Sequence, residues 1–444
     1  MIRLPKQVVT ALKLLEASGY EAYIVGGCVR DYIMGIEPHD YDITTSALPE
    51  ETKQVFKRYK VIETGIKHGT VTVLMDYEPI EITTFRVDAD YIDGRHPSSV
   101  SFTKSLREDV ARRDFTMNAI AMDCRGDIFD YFGGRQDIEN RVIRCVGEPI
   151  TRFNEDALRI MRALRFSSVT GFNIEEKTHE AMRETKDLLC KVSAERIREE
   201  LVKLFCGKNV KKVLMEDVDI LAVFVPEITK MKGFDQRNPH HIFDVLEHTA
   251  TVVEKADKEP VVRLAALFHD IGKPDCFTVD EAGIGHFYGH GAISTEITRS
   301  VMNRLKFDND TKKKVLELVE KHDAPIEPSQ RAVKRVLNKL SEEQFFNLIA
   351  LKRADNLGQS PLHRERQKHY DKLVEIAGEI IEQEQCFSLK DLCVNGSDLI
   401  SIGFKPGKAI GEMLKFLLEE VIDGKIENER QKLLDLAQKK QKNY

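Results

Sequence analysis

The sequence predicts an α/β region at the N-terminus followed by an all-helical remainder. Three observations carry this. Residues 20–145 alternate short apolar runs with turns ("EAYIVGG", "HGTVTVLM", "PIEITTFRV", "IAMDCRGDIFDYFGG"), the pattern of strands joined by short helices. From 150 to about 230 the apolar residues recur at helical spacing, as in "NEDALRIMRALRF" and "SAERIREELVKLF", and the helical period continues to about 382. The last segment, "FSLKDLCVNGSDLISIGFKPGKAIGEMLKFLLEEVIDG", is a short helical module punctuated by Gly and Pro. The expected division is 1–145, 146–235, 236–382 and 383–444.

Taken in order, the opening "MIRLPKQVVTALKLLEASGY" sets Val8, Leu12 and Leu15 on one helical stripe. It has no long apolar run and no small-residue cleavage site, so a structural helix is expected and a signal peptide is not. No window approaches the roughly 18 apolar residues of a membrane span. The eight cysteines are scattered and none forms CxxC. Reduced thiols and a cytoplasmic location are therefore expected. A net charge of -6 gives no global attraction to phosphate, so any nucleic-acid contact must come from local basic surface.

The stretch "GGCVRDYIMGIEPHDYDITT" (26–45) carries the first candidate site. Residues two apart in a strand share a face, so a strand at "YDIT" would project Asp40 and Asp42 together. Two adjacent carboxylates repel unless a cation lies between them. Mg²⁺ suits one or two carboxylates plus phosphate oxygens. In "PIEITTF", Ile80 and Ile82 share one face and Glu81 takes the other, so a neighbouring strand could add Glu81 to the pair. Gly26 and Gly27 would let backbone N–H groups approach a phosphate, and Arg30 adds charge.

These residues resemble the nucleotidyltransferase signature of the polymerase-beta superfamily, in the form found in class II tRNA nucleotidyltransferases (CCA-adding enzymes) and bacterial poly(A) polymerases. Further resemblances follow in the family's order. "DGRHP" (93–97) is similar to its flexible loop, and "ARRDFTMNAIAMD" (111–123) to its second motif. "NEDALRIMRALRF" (154–166) is similar to its EDxxR nucleotide-recognition helix, and "ERIREEL" (195–201) to the motif after it. The resemblance covers roughly residues 10–230. It implies a polymerase-beta-like α/β head over 1–145 and a helical neck over 146–235 that reads nucleotides and binds RNA. It implies that Asp40 and Asp42 hold Mg²⁺, with Glu81 as a third carboxylate. Gly27 and Arg30 are implied to contact the nucleotide, Arg113 the triphosphate, and Asp114 and Asn118 to help hold the site. The reaction implied is attack of an RNA 3′-hydroxyl on the α-phosphate of CTP or ATP.

The recognition segment has its own logic. Asp156 and Arg159 are three apart and would share a helix face, with Arg162 and Arg165 extending the row toward phosphates. Cytosine and adenine both show an amino donor beside a ring-nitrogen acceptor, and uracil and guanine show the reverse. An Asp acceptor beside an Arg donor fits C and A and rejects U and G. Leu158, Met161 and Leu164 form the opposite, core-facing stripe.

Six of the thirteen histidines fall between 240 and 290. His248, the doublet His269–Asp270 and the distant Asp355 make a four-ligand set for a divalent metal in a helical bundle. This resembles the HD phosphohydrolase superfamily and implies an HD-like body over 236–382, with His290 and His322 where two-metal members carry extra histidines. A secondary phosphohydrolase activity is implied with it. His240 and His241 are expected to be plain surface histidines. In the tail, 383–444, Pro406 and Gly407 precede a helix with apolar residues at 410, 413, 414 and 417, a module implied to hold the upper part of tRNA. The function expected is template-independent addition of C, C and A to tRNA. A-only addition and poly(A) synthesis are the near alternatives, and an HD-type phosphohydrolase acting on RNA or nucleotides is the one from a different class.

Overall fold

The computed structural model describes residues 4–88 and 100–441. The "DGRHP" loop expected at 93–97 lies outside the described residues. The chain divides into two compact units, Met1–Pro226 and Glu227–Tyr444.

The first unit begins with α1 (Lys6–Ala17), whose stripe of Val8, Leu12 and Leu15 is buried as its spacing predicts. A seven-stranded sheet follows, in the order β3-β4-β5-β2-β1-β8-β9. Its strands are β1 (Ala22–Val25), β2 (Asp42–Thr45), β3 (Lys60–Ile62), β4 (Thr70–Met75), β5 (Glu78–Thr84), β8 (Ile120–Met122) and β9 (Ile128–Asp130). β6 (Arg86–Asp88) and β7 (Val100–Phe102) form a separate two-stranded ribbon. β4 buries every second residue, Val71, Val73 and Met75, as the alternation in "TVTVLM" requires. β2 sits centrally, antiparallel to β1 and parallel to β5. The helices around this sheet are short: α2 (Gly27–Ile33), α3 (Pro49–Val55), α4 (Leu106–Ala111) and α5 (Gly134–Glu139).

Beyond the sheet the unit is helical, with α6 (Pro149–Glu155), α7 (Leu158–Thr170), α8 (Glu176–Thr185), α9 (Ala194–Phe205), α10 (Val210–Glu216) and α11 (Val218–Leu221). "NEDALRIMRALRF" is not one helix. It breaks at Asp156, whose backbone is extended at φ −145° and whose Oδ1 accepts the N–H of Leu158 at 3.1 Å. A short polar side chain that captures a nearby backbone N–H competes with the helix ladder and starts a new helix instead. Leu158, Met161 and Leu164 are buried along α7, as their spacing predicts.

The second unit holds α12 (Val245–Lys255), α13 (Pro260–Phe268), α14 (His290–Arg304), α15 (Asn309–Lys321), α16 (Gln330–Lys339), α17 (Glu342–Gly358) and α18 (Arg366–Glu382). α13 reads "PVVRLAALF" and is buried from Val261 to Phe268, so it forms the centre against which α12, α15 and α17 pack. The tail helices α19 (Gly396–Ser401), α20 (Lys408–Ile422) and α21 (Arg430–Gln441) close a separate small core around Leu399, Leu417 and Leu433.

Candidate functional site

The carboxylates of the first unit are assembled by strand pairing. Asp42 is the first residue of β2, and the parallel register with β5 sets Asp42 opposite Glu81. Asp40 lies just before the strand, not within it. Burial pushes the Asp42 carboxyl above its ordinary range, Arg113 opposes this, and the charge of Asp40 adds to it. Glu81 is raised too, by burial and then by Asp42 and Asp40. Asp42 and Glu81 therefore both resist ionising beside their acidic neighbours, as carboxylates sharing a place that suits a cation do. Among the described residues, these three are not gathered to within 4.8 Å as a set, so the close grouping expected from a strand holding both Asp40 and Asp42 is not formed.

Arg113 faces this group. Burial lowers its pKa, against the attraction of Asp109, Asp42 and Asp114. Its Nε is buried and finds no hydrogen-bond partner among the described residues. Gly26, between β1 and α2, has φ +86°, and a Cβ there would stand 2.6 Å from Arg113 Nη1. The glycine is thus needed twice, for its backbone and for the space the guanidinium fills. Gly27 opens α2, and a Cβ there would stand 3.7 Å from Arg30 Nη2.

Arg30 donates to Asn118 Oδ1 at 2.9 Å, and Asn118 Nδ2 donates to Asp114 Oδ1 at 3.0 Å. Burial alone would raise Asp114. The Arg162 guanidinium, donating from Nε at 2.7 Å, and Asn118 overcome it and bring the carboxyl down to about 2. Arg162 also lies 3.9 Å from Glu200, whose Oε2 stands 2.7 Å from Arg165 Nε as an ion pair without hydrogen-bond alignment. The guanidinium carbons of Arg30, Arg162 and Arg165 stand 5.1, 5.6 and 4.0 Å from the centroid of the Phe166 ring. Arg162 and Arg165, expected beside phosphates, are thus engaged by the buried acids Asp114 and Glu200.

The expected base-reading pair is not paired internally. Arg159 is 7 % exposed, donates to Glu155 Oε2 at 2.8 Å and to the carbonyls of Arg152 at 3.2 Å and Arg112 at 3.0 Å. Asp156 is held instead by Arg196 of α9, at 2.8 Å from Nη2 and 3.3 Å from Nη1. The physical reason is the break at Asp156, which takes the two residues off a common helix. Sequence reasoning singled out neither Arg196 nor Glu200. Their four-residue spacing in "ERIREEL" put them on one face and was the available signal.

In the second unit, His248, His269 and Asp270 bring one ligand atom each to within 4.8 Å of one another, and so do Asp270, His290 and His322. His248 Nε2 is 3.1 Å from Asp355 Oδ1 and 3.3 Å from Asp270 Oδ2. All four sequence-predicted ligands are therefore gathered, from α12, the end of α13 and α17. The four histidines orient alike. Nδ1 of His248, His269, His290 and His322 meets the carbonyl of Gly358, Ala266, Phe287 and Val319 respectively, leaving each Nε2 turned inward. Lys273 is buried and donates to Asp270 Oδ2 at 2.7 Å and Gln236 Oε1 at 3.0 Å. His240 is exposed, as expected. His241 corrects its expectation: its ring packs edge-on to His248 at 5.4 Å and its buried Nδ1 is unpartnered among the described residues. Burial pushes its pKa down to about 3.

A central strand carrying an acid at its start, a second acid in register beside it, and a glycine turn lined by arginines define a nucleotidyltransferase of the polymerase-beta type. Known proteins agree. Residues 22–144 match the poly A polymerase head domain, 171–232 the RNA and SrmB-binding site of polymerase A, and 282–437 the tRNA nucleotidyltransferase domain 2. A CCA-adding enzyme of Lactobacillus helveticus is 37% identical over 421 residues, covering 94% of this chain and 92% of that protein. One from Streptococcus suis is 35% identical over 439 residues, covering 97% and 96%. The crystal structure of the Bacillus stearothermophilus CCA-adding enzyme in complex with CTP is 30% identical, with a TM-score of 0.73 over 99% of this chain and 98% of that one. The chain belongs to the family of CCA-adding enzymes. As a member it is a divalent-metal-dependent nucleotidyltransferase. Among the described residues no helix is long and apolar enough to cross a membrane.

Proposed function

We propose that this chain adds C, C and A to the 3′ end of tRNA from CTP and ATP without a template, releasing pyrophosphate. The observation that carries this reading is the register of Asp42 and Glu81 on adjacent strands within reach of the Arg113 charge. Asp40 and Asp42 hold Mg²⁺, with Glu81 as the third acid. Bound there, the metal lowers the pKa of the attacking hydroxyl and offsets the charge developing on the phosphate. Arg113, whose buried Nε finds no partner among the described residues, takes a triphosphate oxygen, as a buried donor without a mate favours an anion. Arg30, fixed by Asn118, flanks the same place, beside Gly27. Asp156 and Arg159 read the base, and Arg162 and Arg165 shape the charge behind it.

The four parts of the chain are assigned as head (1–145), neck (146–235), HD-like body (236–382) and tRNA-holding tail (383–444). A tRNA substrate and eight unpaired cysteines support a cytoplasmic location. The test is primer extension on tRNA ending before the first C and after the second, with each nucleotide in turn. CTP and ATP are incorporated, UTP and GTP are not, and Asp42→Ala abolishes both incorporations. Extension that survives Asp42→Ala removes the metal assignment.

A second reading belongs to the second unit. The convergence of His248, His269, Asp270 and Asp355 favours a divalent metal there, since imidazole nitrogen and carboxylate oxygen together suit such ions. A phosphohydrolase activity on RNA ends or nucleotides is the chemistry such a metal would supply.

A further inference from the structure

Base selection by Asp156 requires its carboxylate to point one way, and the break between α6 and α7 takes it off the helix that would have fixed it. Its side chain sits on an extended residue with one local contact, the N–H of Leu158 on Oδ1. The remaining contacts come from Arg196 of α9, whose two terminal nitrogens straddle both oxygens at 3.3 and 2.8 Å. The pair is largely withdrawn from water, with 23% of the Arg196 side chain and 17% of that of Asp156 exposed. A planar guanidinium gripping a carboxylate at two points fixes its rotation.

We propose that Arg196 is a positioning residue for nucleotide selection: it orients Asp156 so that an oxygen is free to accept from the exocyclic amino group of cytosine or adenine. This rests on the base-reading assignment above. A carboxylate offers about four lone-pair directions, and three are occupied, two by Arg196 and one by Leu158, so one remains for the base. Arg159 cannot replace Arg196, because Glu155 and two carbonyls hold it. Without Arg196, the Asp156 carboxylate is free to turn toward Arg162, whose charge already feels it. The effect is on the base alone. The head carboxylates and Arg113 face other parts of the nucleotide, and among the described residues the side-chain contacts of Arg196 go to Asp156.

The experiment measures CTP and UTP binding to the full chain by equilibrium dialysis, and then single-turnover incorporation on tRNA ending before the first C. Wild type, Arg196→Ala and Arg196→Lys are compared. Arg196→Ala lowers the CTP-over-UTP preference about tenfold, the size of a lost charged hydrogen bond. The change appears in the Kd and KM for CTP, with kcat at saturation nearly unchanged. Arg196→Lys, which keeps the charge but not the two-point grip, restores affinity and only part of the preference. A wild-type preference retained in Arg196→Ala overturns the inference alone. Wild type that binds CTP and UTP equally overturns the reading of Asp156 and the inference with it. An equal loss for both nucleotides in Arg196→Ala, unrelieved by Arg196→Lys, assigns Arg196 to folding and also overturns it.

Discussion

Replacing Gly26 with Ala is expected to damage nucleotide addition through one neighbour. The new Cβ would stand 2.6 Å from Arg113 Nη1, and ordinary contact begins at 3.4 Å, so the guanidinium must retreat by about 0.8 Å. The backbone at φ +86°, ψ −133° also excludes a side chain without strain, which costs about 1–3 kcal/mol. The strain lowers the melting temperature by roughly 2–4 °C per kcal/mol in a unit of this size. Moving a positioned group by about 1 Å costs about 10²-fold in rate. Single-turnover extension should therefore show kcat/KM falling about 10²-fold for CTP and ATP alike, with the preference over UTP unchanged. The decisive arm repeats the substitution in an Arg113→Ala background. There the melting temperature should fall as before, while the catalytic loss shrinks to less than about threefold, because the group being displaced is gone. An undiminished loss in that background would refute the reasoning, since strain at Gly26 would then act without Arg113.

The remaining predictions concern charge. Asp114→Asn should destabilise the protein by about 2 kcal/mol at pH 7, from the fall of the Asp114 carboxyl from 3.8 to about 2. Because the folded-state value is depressed, this difference is complete above about pH 4 and fades as pH falls toward 2. Urea melts from pH 7 down to 3 that show a pH-independent gap would contradict it. His269→Ala should lower the bound divalent metal of the purified protein while leaving CTP addition to tRNA intact. Equal metal content in the two proteins would reject the second metal site. Glu81→Gln, which keeps shape and removes one charge, should weaken CTP addition less than Asp42→Ala does, and equal losses would make Glu81 a full partner of the pair.

Much of this was legible in the chain itself. Strand alternation around Glu81 needs only a period of two and was legible, but β2 begins at Asp42, leaves Asp40 outside it, and its register with Glu81 is set by pairing that local pattern does not show. The histidine set was legible because its residue types are costly to bury without a purpose. What failed to show was tertiary. Nothing in "NEDALRIMRALRF" marks Asp156 as a helix stop, because Asp is tolerated within helices and its capture of the Leu158 N–H depends on the turn that forms. Arg196 and Glu200 look like one more solvated stripe until α9 packs on α7 and buries the glutamate. His241 reads as surface beside His240, and only the fold separates the two.

The run from Arg30 through Asn118, Asp114, Arg162 and Glu200 to Arg165 alternates cation and anion, broken only by one amide, with both acids buried and the arginines half-buried. Asp114 and Glu200 are buried and offset by the arginines beside them, so removing those arginines strands a carboxylate in a medium that punishes lone ions. Substitution along this run can therefore drift only in compensated pairs. A relative that has lost the acid at 200 should also have lost the base at 165, and a library that varies these sites independently should return mostly dead clones.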